Sequence, residues 1–242
     1  MQEKGHLHPL TLVTAEIARI FREMGFSVAS GPEAETEHYN FDVLNVPPNH
    51  PARDMWDTFW LKDAKIGELL RTHTSPVQAR YMESHQPPIR IIAPGKVFRY
   101  EATDATHEAQ FHQIEGLVID ESTSLAHMKG VLEVFFEKFF GGAIGVRLRP
   151  GYFPFVEPGV EVDISCFKCG GKGCSLCKHS GFIEIMGAGM VHPYVLSQVG
   201  VDPRKYQGFA FGTGVDRLAL LKYGVDDVRL FYNGDLRLVN QF

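Results

Sequence analysis

Two runs of alternating residues constrain this chain more than any other feature. They are Val97-Phe98-Arg99-Tyr100-Glu101 and, after a polar loop, Phe111-His112-Gln113-Ile114-Glu115-Gly116. Side chains on a strand alternate between its two faces. Val97, Arg99 and Glu101 therefore share one face of the first strand, and Phe111, Gln113 and Glu115 share one face of the second. The intervening loop carries Asp104, His107 and Glu108. Folded as a hairpin, the pair puts an arginine, carboxylates, an amide and an aromatic ring on one sheet surface. Such a surface can grip something anionic, flat and aminated at once, and ATP plus an amino acid fits that description. Alternating charges by themselves are equally the wet side of an antiparallel sheet, so other segments have to supply the rest of a site.

The periodicity elsewhere predicts an α+β fold with a largely antiparallel sheet flanked by helices. Helices are expected over 9–24, 33–41, from Pro76 onward, over 125–139 behind a Ser124 cap, and over 215–223. Strands are expected over 26–29, 58–61, 89–93, 97–101, 111–116, 146–157, 160–164, 182–186 and 208–212, with a proline-rich loop over 45–55. The 242 residues are 44% hydrophobic, enough for a sizeable core. A net charge of -5 means that any contact with nucleic acid rests on a local basic patch or on a partner. No apolar run is long enough to span a bilayer, and the first ten residues lack a signal-peptide core. All four cysteines lie between positions 166 and 177, which is no secreted disulfide framework, so the expected location is cytoplasmic.

Three further segments carry candidate chemistry. In the run from Gly208 to Arg217, Gly208, Gly212 and Gly214 punctuate a strand-to-helix junction where a ligand can approach the backbone. Arg217 falls in the first helical turn, where a guanidinium can pair with phosphate or stack on a base. In Tyr152-Phe153-Pro154-Phe155-Val156-Glu157-Pro158, an extended reading puts Phe153, Phe155 and Glu157 on one face. The two rings can wall an aromatic pocket, and Glu157 can hold a hard cation such as Mg2+. Thr72-His73-Thr74-Ser75-Pro76, with Gln78 beyond it, clusters polar groups where a helix begins. Each segment has a plainer reading: a tight turn, core aromatics, a helix cap.

Taken in order, the segments resemble the catalytic core of the phenylalanyl-tRNA synthetase α subunits, a family of class II aminoacyl-tRNA synthetases. The resemblance runs from about His6 to Phe242. The helix and strand ending at Gly31-Pro32 look like motif 1, a dimer-interface element; Phe98-Arg99-Tyr100-Glu101 with its loop looks like motif 2; Gly212-Thr213-Gly214-Val215-Asp216-Arg217 looks like motif 3. The runs RTHTSP, ATDATHEAQFHQIEG, YFPFVEP, GMVHP and GFAFG point to phenylalanine in particular. The resemblance implies that Arg99 binds the α-phosphate, that Glu101 helps hold the adenylate, and that adenine stacks between Phe111 and Arg217. His107 is implied to reach the outer phosphates, with Gly212 and Gly214 beside the nucleotide. Gln113 and Glu115 are implied to receive the α-ammonium of phenylalanine with His73 and Ser75, and Trp56 and Gln78 to complete that end. Phe153, Phe155 and Val156 then line the side-chain pocket, with Ala210 as its floor. The implied partners are a β subunit in an α2β2 heterotetramer, which shares Mg2+ with Glu157, and tRNA(Phe).

Against the family pattern, the long N-terminal helical hairpin that grips tRNA has no counterpart in the sequence. It is therefore read as one catalytic domain over 1–242 with a cysteine-rich hairpin insert over 164–183. Asp216 stands where motif 3 often has glutamate. The spacing Cys166-x2-Cys169-x4-Cys174-x2-Cys177 is a zinc-ligand pattern with a tight spacer, or else a reduced glycine-rich hairpin. Two other functions compete with the ligase: a synthetase-like binding module, which should lack Arg99, Glu101 or Arg217, and an enzyme adenylating an acceptor other than tRNA.

Overall fold

The computed structural model describes residues 5–49, 58–62 and 68–242. Leu10, Val13, Ile17 and Ile20 recur at helical spacing and are buried along helix α1, Pro9–Glu23. The His8 imidazole caps it by accepting from the Leu10 N–H at 3.2 Å. A short strand β1, Ser27–Val28, follows. Next come β2, Ala34–Thr36, helix α2, Glu37–Asn40, and β3, Glu68–Leu70, with β2 and β3 forming a small separate sheet. Helix α3, Ser75–Ser84, leads into β4, Ile89–Phe98, and β5, Gln110–Asp120. Helix α4, Leu125–Phe140, opens at Ser124, whose hydroxyl accepts from the His127 N–H at 3.3 Å. Then come β6, Val146–Phe153, β7, Val156–Ser165, β8, Phe182–Val191, and helix α5, Pro193–Gln198. Strand β9, Gln207–Gly214, runs directly into helix α6, Val215–Tyr223, and helix α7, Leu236–Val239, lies near the end.

Seven strands form one sheet in the order β1-β4-β5-β9-β8-β7-β6. Every pairing is antiparallel except β1 with β4. The register gives the sheet two unlike faces. Ile92, Ile114, Val118, Phe209 and Phe211 point to the side where α1, α4 and α6 supply the main core. Phe21 of α1 stacks there on Phe211 at 5.5 Å and on Phe135 at 4.8 Å. The opposite face carries Ile89, Ile91, Ala93, Leu117 and Ile119, packed with residues of α3, α5 and the turn Asp42–Leu44.

Four expectations from sequence change. Residues 33–41 are not one helix: Ala34–Thr36 pairs with β3, and Thr36 then caps α2 with its hydroxyl. Residues 58–61 form no full strand: Trp60 makes an isolated bridge to Leu69, with the Leu61 N–H donating to the Glu68 carbonyl at 3.1 Å and the Leu70 N–H to the Phe59 carbonyl at 2.9 Å. The runs 89–93 and 97–101 are one continuous strand through Pro94-Gly95 that ends at Phe98, and Arg99, Tyr100 and Glu101 lie beyond its end. Residues 146–157 are two strands, because Pro154 and Phe155 make the turn between β6 and β7. Phe153, Phe155 and Glu157 therefore do not share one face of an extended segment.

Candidate functional site

A row of paired residues crosses the open face: Ala93, Glu115, Gly212, Gly187. The next row on that face is Ile91, Leu117, Ala210, Gly189. Small residues in the middle of a sheet leave a trough, and here it becomes a cavity of about 300 Å³. Such a volume lies at the small end of ligand pockets, roughly 300–1,000 Å³. The cavity gathers His73, Ser75, Gln78, Arg99, Gln113, Glu115, Phe153, Phe155, Val156, Ala210 and Gly212 from segments far apart in sequence.

One end is polar. The Glu115 carboxylate is buried and accepts three bonds: from the Ser75 hydroxyl at 2.7 Å, the Gln78 amide at 2.6 Å and the Thr74 N–H at 3.1 Å. Burial raises its pKa, and the bonds from Ser75 and Thr74 pull it back down. Beside it the Gln113 side-chain oxygen is buried and has no hydrogen-bond partner. A buried acceptor without a donor is costly, and a ligand with N–H groups can supply the donor. Burial and the nearby Arg99 charge lower the pKa of His73 to about 3, which keeps it neutral at pH 7. The Arg99 guanidinium lies 5.1 Å from the centre of the Phe111 ring, 4.0 Å from Glu101, and donates to the Thr72 carbonyl at 3.2 Å. Burial lowers its pKa from a value so high that it remains a cation.

The other end is apolar. The Phe153 and Phe155 rings lie 6.1 Å apart and 24° from parallel, brought together by the β6–β7 turn. Gly187 makes room for Phe153, because a Cβ there would lie 2.7 Å from the ring tip. Ala210 lies between Leu117 and Gly189 in the register, while Phe209 and Phe211 face the helices.

Other residues singled out in the sequence lie outside this cavity. Phe111 and Gly214 continue the same face of β5 and β9, where Gly214 pairs with Gln113. Arg217 is exposed in the first turn of α6. His107 is exposed on the loop before β5, where Asp104 accepts from the N–H groups of Thr106 at 2.7 Å and His107 at 2.8 Å. Glu157 is 75% exposed and lies 3.2 Å from the His192 imidazole. Trp56 is outside the described residues. The four cysteines assemble at the far end of β7 and β8.

One buried group, Arg71, was not singled out in the sequence, and another, Asp216, gains its partners only in the fold. Arg71 binds the carbonyls of Lys96 at 2.7 Å, Gly31 at 3.1 Å and Pro32 at 3.2 Å. It thereby ties the segment after β1 to β4, and a Cβ on Gly95 would overlap its guanidinium. Its place at the head of the RTHTSP run was the available signal. Asp216 is buried and accepts from the His112 N–H at 2.8 Å and from the Tyr232 hydroxyl. Burial raises its pKa. The shorter acid thus pins the start of α6 to β5.

The whole chain, residues 1–242, matches the family model described as tRNA synthetases class II core domain (F). Among curated relatives it is 57% identical over 238 residues to the phenylalanine–tRNA ligase alpha subunit of Caldanaerobacter subterraneus subsp. tengcongensis, covering 98% of this chain and 69% of that one. To the subunit of the same name from Enterococcus faecalis it is 58% identical over 242 residues, covering 99% and 69%. To that of Bacillus subtilis it is 57% identical over 240 residues, covering 98% and 69%. In fold it is similar to pyrrolysyl-tRNA synthetase from Desulfitobacterium hafniense, with a TM-score of 0.69, 17% identity, and 93% of this chain and 74% of that one covered.

Proposed function

We propose a function from one premise: the chain belongs to the family of class II tRNA synthetase core domains (F). It activates phenylalanine with ATP to phenylalanyl-adenylate and passes the amino acid to tRNA(Phe), as the catalytic α subunit of a phenylalanine–tRNA ligase. The observation that carries this reading is the two-ended cavity: a buried carboxylate and an unpartnered amide oxygen at one end, two phenyl rings at the other.

In this reading the substrate α-ammonium donates to Gln113 and Glu115, while Ser75 and Gln78 hold Glu115 in place. The substrate ring lies against Phe153 and Phe155, over Ala210 and beside Val156. The substrate carboxylate then faces Arg99. It attacks the α-phosphorus of ATP in line, and pyrophosphate leaves. Positioning and charge stabilisation are what such a step requires, and no covalent nucleophile is needed. Arg99 neutralises charge growing on the transferring phosphorus, with Glu101 beside it. Adenine stacks between Phe111 and Arg217, Gly212 and Gly214 let the nucleotide approach the backbone, and His107 reaches the outer phosphates. His73, neutral at working pH, adds no charge to repel the ammonium. Trp56 is kept as a further residue at the amino-acid end.

Mg2+ takes one or two carboxylates and keeps several waters. The exposed Glu157 carboxylate fits that donor set as one ligand supplied by this chain. The ion would screen negative charge between this chain and the β subunit that shares it. The assembly proposed is an α2β2 heterotetramer, with α1 and β1 at a subunit interface. Val28 is 40% exposed on β1, an edge strand of the sheet. No helix among the described residues is long and apolar enough to cross a membrane; a cytoplasmic location is proposed.

Aminoacylation of tRNA(Phe), measured with the chain alone and with a candidate β subunit, tests this. Charging is expected only when both are present. Full charging by the isolated chain, at a rate unchanged by β, would overturn the subunit reading.

A further inference from the structure

The turn between β7 and β8 holds a cluster that the reaction does not use. The Sγ atoms of Cys166, Cys169, Cys174 and Cys177 all lie within 4.8 Å of one another. Three of the separations, Cys166–Cys174, Cys169–Cys177 and Cys174–Cys177, are each 3.8 Å. A tetrahedron of sulfurs at a zinc–sulfur bond of about 2.3 Å has edges of about 3.8 Å. The four thiols are free of disulfides.

The backbone around them is built in duplicate. Each pair is a Cys-x-x-Cys turn followed by two residues with positive φ: Gly170 at 58° and Gly171 at 80° after the first, Lys178 at 48° and His179 at 62° after the second. Lysine rarely adopts that conformation, so the second turn is held there by something besides its own preference. Two of the sulfurs also accept backbone N–H groups, Gly173 to Cys169 at 3.2 Å and Cys174 to Cys177 at 3.1 Å. Cys166 and Cys177 are buried in the main core, and Phe167 stacks on Phe140 of α4 at 4.5 Å.

We propose that these four cysteines bind one zinc ion in a closed, structural site that fastens the β7–β8 hairpin onto α4. Four convergent sulfurs are soft donors of the kind that select zinc or iron. The reaction proposed for the cavity involves no electron transfer, so a redox metal has no task here. The site is not catalytic: β7 runs from Val156 at the cavity to Ser165 beside Cys166, ten residues, or roughly 30 Å at the rise of a strand.

Metal analysis of the full chain, purified without chelator, tests the proposal, together with titration by a mercurial thiol reagent while released metal is followed with a chromogenic chelator. About one zinc per chain is expected, released as the four thiols react. Replacing the zinc by cobalt(II) should give the intense visible absorption of a tetrahedral thiolate site. Cys174→Ser should weaken that absorption or abolish it, and Ser175→Ala should leave it unchanged. Less than a tenth of an equivalent of any metal would overturn the proposal. So would stoichiometric iron in place of zinc, or cysteines found as disulfides in freshly purified protein. None of these readouts depends on synthetase activity, so the zinc proposal stands or falls apart from the function proposed for the cavity.

Discussion

The two ends of the cavity are built on different principles. At the polar end, the carboxylate is fixed by hydrogen bonds from another element: Ser75, Thr74 and Gln78 of the α3 start converge on Glu115 of β5. At the apolar end, shape is set by what is missing. Gly187, Gly189 and Ala210 leave the trough, and Phe153 and Phe155 close over it from a turn. A polar end organised this way should respond to substitution by losing rate. An apolar end formed by absent side chains should respond by changing which substrate fits.

Arg99→Ala gives the largest expected effect. Losing a charge-stabilising donor should reduce phenylalanine-dependent pyrophosphate exchange on the order of 10²-fold or more, with the fold intact by circular dichroism. Near-normal exchange would leave Arg99 a structural residue that ties the end of β4 to the Thr72 carbonyl.

Ala210→Gly probes the other end. Removing one methyl from the floor opens space at the para edge of the substrate ring. Discrimination against para-chlorophenylalanine should fall about tenfold or more. Tyrosine should gain much less, because its hydroxyl still lacks a partner and burying it unpaired costs roughly 1–3 kcal/mol. Unchanged discrimination in exchange assays with the three amino acids would remove Ala210 from the floor.

The remaining effect is on stability rather than rate. His73 is held neutral down to a pKa of about 3, whereas the unfolded imidazole titrates at its ordinary 6.5. A depressed histidine contributes stability above the unfolded value and loses it as pH falls towards the folded one. Between pH 7 and pH 5 this group should cost the native protein about 2 kcal/mol. Glu115, with its pKa raised by burial, works in the opposite sense as pH falls, but it is present in both proteins compared. Urea unfolding of His73→Gln at the two pH values should show the smaller decline. An equal decline would mean that His73 is protonated in the folded chain.

Period-two alternation made β5 legible from the sequence, and the same rule applied to the run from Gly208 to Gly212 puts Phe209 and Phe211 on the face opposite Ala210. The register confirms that placement. Helix α6 was legible to its ends because glycines mark both of them. The β6–β7 turn was not, since Phe153-Pro154-Phe155-Val156 reads as an unbroken apolar run, and only the pairing of Phe153 with Val156 reveals a hairpin. Arg71 was hard to read for a related reason: a charged residue beside polar neighbours reads as surface, and only tertiary structure supplies the three carbonyls it binds. The Glu115 network is also long-range, joining residues about forty positions apart. The sequence could nominate its members but not their bonds.

Pyrophosphate exchange, run on the chain with its candidate β subunit against the full set of protein amino acids, tests the central claim most directly. The claim is that a buried carboxylate and a phenyl-walled trough form one amino-acid site. Phenylalanine should stimulate exchange far above every other amino acid, tyrosine included. Stimulation led by a different amino acid, or none by phenylalanine, would contradict it.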